Sequence, residues 1–97
     1  MTYSENIQMA CELKRRLNGK AYVTIPRREI TKLLRDVSGQ PTARLGQRVA
    51  EEIEAALSDR GVRVFPSLVA KTHAVRLYHA DTLAVDVLDW LDRKSVV

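Results

Sequence analysis

Five residues, Ser38-Gly39-Gln40-Pro41-Thr42, are the sharpest punctuation in this chain and separate two helical patterns. Glycine suits the left-handed conformation that ends a helix, and proline carries the fixed φ that opens the next. Before the break, Ile30, Leu33, Leu34 and Val37 recur at helical spacing and predict a short amphipathic helix over 26–37. After it, Leu45, Val49, Ile53, Ala56 and Leu57 form a second stripe. They predict a helix from about Pro41 to Asp59, stopped by Gly61. Two helices joined by so short a turn each keep an apolar stripe to bury, so the rest of the chain must cover the pair.

The flanking segments supply that cover. Residues 4–18 predict a first helix, with Ser4 as N-cap, Asn18-Gly19 as stop, and Ile7, Ala10, Cys11, Leu13 or the stem of Lys14, and Leu17 at helical spacing. Cys11 reads as a small buried hydrophobe. Ala21 to Ile25 is a β-rich run ended by Pro26. After Gly61 the period changes from 3.6 to 2. Val62 and Val64 alternate with Arg63 and Phe65, and Val75 and Leu77 with Arg76 and Tyr78. These predict two antiparallel strands joined by the loop Pro66 to His73. Asp81 or Thr82 caps a last helix expected to reach about Arg93. The whole chain, 1–97, is expected to be a single domain with its core over about 5–79.

Charge narrows the partner. The chain has 97 residues, 45% hydrophobic and 29% charged, with a net charge of +4. Residues 1–50 hold ten Lys/Arg and four Asp/Glu, a balance of +6; residues 51–97 hold six and eight, a balance of −2. Between Lys14 and Arg48 only Glu29 and Asp36 are acidic, which suits a polyanion. No apolar run approaches the roughly 20 residues that cross a bilayer. The first 20 residues carry charges throughout and lack a secretory leader's apolar stretch, so the cytosol is the default location.

The order helix, strand, helix, turn, helix, strand, loop, strand resembles the winged helix-turn-helix family of DNA-binding domains, here with an additional C-terminal helix. The resemblance lies in element order across about residues 5–79 and matches no single subfamily. It implies an α+β fold and a double-stranded DNA partner, with the helix after Pro41 entering the major groove. Thr42, Arg44, Gln47 and Arg48 lie in that helix's expected first turns and form the expected reading surface. Arginine reads guanine, glutamine reads adenine, and threonine takes phosphate or a thymine methyl. A plain solvated face is the competing account, with Arg48 paired to Glu51 or Glu52. The acidic run Glu51, Glu52, Glu54 and Asp59 is expected to face away from DNA.

Arg27, Arg28 and Lys32 are the expected phosphate contacts on the preceding helix. The first two stand where a helix dipole disfavours cations, so a phosphate explains them better than stability does. The wing, Pro66 to His73, contributes Lys71 but no arginine, and Ser67-Leu68-Val69-Ala70 is unusually apolar for a loop tip. That stretch either folds back on the core or meets a partner.

The last helix carries Leu83, Val87, Trp90 and Leu91, with Ala84, Val85 and Leu88 on further faces, and Asp86, Asp89 and Asp92 on its narrow wet side. Apolar surface beyond one stripe points to a homodimer contact. An adaptor module that uses this helix to bind another protein is the alternative to a dimeric transcriptional regulator. RNA binding is disfavoured, since of the three candidate stacking residues Tyr22, Phe65 and Tyr78 at least two are expected to be packed. No HExxH, CxxC, GxGxxG, P-loop or GxSxG pattern occurs, and His73 and His79 have no ligand partner near them in sequence. An enzyme, a cofactor and a metal are therefore not expected.

Overall fold

A computed structural model of the chain describes residues 2–80. It is a small α+β fold with three helices and a three-stranded antiparallel sheet. The elements follow in the order α1 (Tyr3–Arg15), β1 (Tyr22–Pro26), α2 (Arg27–Ser38), α3 (Gln47–Asp59), β2 (Val62–Phe65), a 3-10 turn (Leu68–Ala70) and β3 (Ala74–His79). The last helix expected from sequence, with Leu83, Val87, Trp90 and Leu91, lies outside the described residues. No helix among those described is long and apolar enough to cross a membrane.

The N-cap of α1 stands two residues before the expected one. Thr2, not Ser4, is the N-cap. Its side chain accepts from the Glu5 amide at 3.2 Å, and the Glu5 carboxylate accepts from the Thr2 amide at 3.2 Å. This reciprocal box satisfies two end donors at once. Ser4 has Ile7 three residues on and cannot make it. The buried stripe is then Asn6, Met9, Ala10, Leu13 and Leu17. Cys11 falls one position off that stripe and is exposed, against expectation.

Helix α2 buries Ile30 and Leu34 and ends at Gly39, whose φ of 70° is the left-handed cap foreseen there. The Gly39 amide donates to Arg35 O at 2.9 Å.

The start of α3 corrects the sequence expectation. The helix begins at Gln47, with extended Gly46 as N-cap, and not near Pro41. Leu45 stands four residues before Val49 and so mimics the next helical position, but it reaches the core from a non-helical connection. That connection is held by Ala43 N–H to Gln40 O at 3.1 Å and Arg35 Nε to Ala43 O at 3.1 Å. Thr42 and Arg44 therefore lie in the link between helices and not in a recognition helix. Within α3, Ala50, Ile53, Ala56 and Leu57 are buried, while Val49 packs at the margin.

The sheet order is β1-β3-β2, so the last strand in sequence is central. Ile25 pairs with Val75, Val23 with Leu77, and Leu77 with Val64. These residues and Val62 form the sheet's contribution to the core, under the helices. The opposite face carries Tyr22, Thr24, Arg63, Phe65, Arg76 and Tyr78 by alternation. Tyr22 is 40% and Phe65 38% exposed, so the expectation that at least two of the three aromatic candidates are packed is overturned.

The loop Pro66 to His73 resolves its own alternative. It folds back on the core through the 3-10 turn, and Leu68 is fully buried.

Candidate nucleic-acid interface

The first turn of α3 carries no acidic residue and no side-chain cap. Its leading amides therefore stay open to an anion, as the helix dipole favours. Gln47 and Arg48 project from this turn, both exposed, and Thr42 and Arg44 precede it, also exposed. The four residues read from sequence as one helix face are thus divided between a connection and a helix start.

Both helical members lean back along α3. Gln47 Nε2 donates to Glu51 Oε1 at 3.1 Å, and Arg48 Nε pairs with Glu52 Oε1 at 3.3 Å. This is the solvated-face arrangement weighed against base contact. The Arg48 side chain is 91% exposed, so the pair is screened by water and open to exchange with a phosphate or base. Glu52 is itself anchored, because its second oxygen accepts from Asn6 Nδ2 at 2.9 Å. That bond is the main reason its carboxyl sits below the ordinary value of 4.5; partial desolvation opposes the lowering and Arg48 adds to it. Asn6 is buried, and among the described residues its Oδ1 has no hydrogen-bond partner. A chain of contacts thus runs from the α1 core face through Glu52 to Arg48.

Glu54, further along α3, is turned to the loop Pro66 to His73. Its Oε1 accepts from Ser67 Oγ at 2.8 Å and from the Leu68 amide, which clamps the wing to α3. Of the acidic run on α3, Glu51, Glu52 and Glu54 each hold a neighbouring donor. A carboxylate in a helical sequence gave no sign of this, because its partner is a loop amide 14 residues away.

The other cations separate into two groups. Arg27, Arg28, Lys71, Thr72 and His73 line one cleft where the wing returns to β3 beside the start of α2. Arg28, Lys71 and His73 are exposed there. Arg27 is half-buried and braces the wing from below. Its guanidinium donates to Leu68 O at 2.7 Å, and its amide donates to His73 O at 2.7 Å. Lys32 lies elsewhere, in a cleft with Arg16, Glu29, Leu33 and Asp36. Arg16 and Glu29 are paired there at 3.2 Å, so that cleft is electrostatically mixed and less suited to phosphate. Thr72 and His73 were missing from the sequence-derived site. The signal for them was their position next to Lys71 at the wing's polar tip.

Among the described residues, no group of three or more His, Cys, Asp or Glu is arranged to hold a metal ion. No family model matches this chain, and no curated protein and no solved structure matches it.

Proposed function

We propose that this chain is a sequence-specific double-stranded DNA-binding protein of winged-helix type, acting as a dimeric transcriptional regulator. The observation that carries the reading is the first turn of α3. It is uncapped, free of acidic residues and exposed, and it bears Gln47 and Arg48 directly after the exposed Thr42 and Arg44. The element order and the β1-β3-β2 sheet are compatible with a winged helix. The link between α2 and α3 runs from Gly39 to Gly46, longer than the three or four residues usual for a helix-turn-helix. In this reading Arg44 and Thr42 reach DNA from the link, and Gln47 and Arg48 from the helix start.

Base edges in the major groove are read by Arg44, Gln47 and Arg48. Arg28, Lys71 and His73 hold backbone phosphate at the wing, and Arg27 keeps that cleft in shape. Three reading side chains and Thr42 make a small footprint, so a second copy on a neighbouring half-site supplies the remaining affinity. Selection of binding sites from randomised duplexes tests this directly. An enriched motif with two half-sites about one helical turn apart is the expected result. Recovery of no motif, with no duplex bound at micromolar protein and low salt, overturns it.

A further inference from the structure

The face of the sheet away from the helices is built as two cross-strand rows. Tyr78 lies between Tyr22 and Arg63, and Arg76 between Thr24 and Phe65. Arg76 Nε donates to Thr24 Oγ1 at 2.8 Å, and its guanidinium carbon stands 5.8 Å from the centroid of the Tyr22 ring. The rows hold three aromatic rings and two cations and no carboxylate. Helices α2 and α3 meet β1 and β2 on the core side, and no described helix covers the outer side.

The course of the chain selects an occupant. β3 is the central strand, and the Ala80 amide donates to Gly61 O at 2.7 Å. The polypeptide therefore leaves the sheet from its middle, at the end that carries the Tyr22–Tyr78–Arg63 row. Seventeen residues follow, 81–97. In their sequence Leu83, Val87, Trp90 and Leu91 recur at i, i+4, i+7 and i+8, and Asp81, Asp86, Asp89 and Asp92 supply negative charge. A 12-residue helix is about 18 Å long, the length of a strand of about five residues. Apolar pattern and length match the outer face, and Asp86 borders the apolar stripe.

We propose that residues 81–97 dock on the outer face of the sheet of their own chain. Leu83, Val87, Trp90 and Leu91 cover Tyr22, Phe65 and Tyr78, and Asp86, at the edge of that stripe, meets Arg63 or Arg76, while Asp89 and Asp92 stay on the wet side. The four apolar residues are the ones sequence alone assigns to a dimer contact. Docking in cis leaves Ala84, Val85 and Leu88 for a second copy. The inference is independent of DNA binding.

Disulfide trapping in the full chain tests it. In a Cys11→Ser background, Phe65→Cys is combined in turn with Val87→Cys, Trp90→Cys and Leu91→Cys, and each pair is oxidised at low micromolar protein. An intrachain bond for at least one pair, with none between Ser58→Cys on α3 and the same partners, is the expected result. Bonds only between chains identify the occupant as a second copy, and no bond at all leaves the face without this segment; either overturns the proposal. Trp90, the only tryptophan, provides an unmodified readout. Its emission is expected to be blue-shifted in the native chain and to move to the water-exposed position in Phe65→Asp, with unchanged far-UV circular dichroism. A native chain that already emits as exposed tryptophan overturns the proposal as well.

Discussion

The two halves of α3 use similar residues for opposite ends. At its start, Gln47 and Arg48 rest on Glu51 and Glu52 through exposed contacts that water screens. Half-way along, Glu54 accepts two donors from the wing in a part-buried site, beside the fully buried Leu68. The same carboxylate chemistry is exchangeable in one place and structural in the other. What differs is solvent access. An exposed pair gives up little when it trades its partner, whereas a part-buried carboxylate that is removed leaves its donors unsatisfied. A binding surface belongs on the first half and the wing anchor on the second.

The sharpest way to break this contrast is at the anchor. Leu68→Ala removes a fully buried side chain, and a loss of about 2–5 kcal/mol of stability is expected. Urea denaturation checks it. A change within the range of a surface substitution, about 0.5 kcal/mol, contradicts the wing's place in the core. At the other half, Arg44→Ala with Arg48→Ala is expected to leave the urea midpoint almost unchanged. Affinity for a selected duplex is expected to fall by about tenfold or more for each arginine that reads a base. Titration of labelled duplex measures this, and unchanged affinity removes these residues from the reading surface.

Between these extremes stands Glu54→Ala. The part-buried Ser67 hydroxyl and Leu68 amide are deprived of their shared acceptor, which costs about 1–3 kcal/mol. Amide exchange across Ser67–Ala70 is expected to accelerate before that of β3. Equal protection in the variant and the native chain shows that Leu68 burial alone holds the wing.

Most of the architecture was legible because the signals were periodic. The switch from a 3.6 to a 2.0 period at Gly61, the cap at Gly39 and the left-handed Gly61 just past the Arg60 cap mark elements that the structure shows. The legible part stopped where a residue satisfied a helical spacing without being helical. Leu45 is spaced as a member of the α3 stripe, yet Gly46 after it is extended, so the reading surface was placed on too long a helix. Cys11 stands four residues after Ile7, a helical spacing, yet the buried stripe runs through Asn6, Met9, Ala10 and Leu13 and leaves it exposed. The wing's apolar tip was visible as an anomaly. Its resolution required Glu54 and Arg27, whose partners are backbone atoms far away in sequence. Long-range bonds to main chain leave no trace in composition or period, and for that reason Arg27 looked like a free phosphate ligand.

The smallest expected effect sharpens the comparison at its weak end. Glu52 joins the buried Asn6 to the exposed Arg48, and its carboxyl is held below the ordinary value of 4.5, chiefly by the Asn6 amide. Because the folded value lies below the unfolded one, the charged form is favoured by folding. Its contribution is fully present above pH 4.5 and declines as the pH falls through the folded value. Glu52→Gln keeps a hydrogen-bond acceptor for Asn6 and removes the titration. Urea midpoints of the native chain are expected to decline below pH 4.5 more steeply than those of the variant, while the two run parallel above it. Identical slopes in acid show that the Asn6–Glu52 bond is as exchangeable as the Arg48 pair, and that Arg48 is held by nothing firmer than solvent.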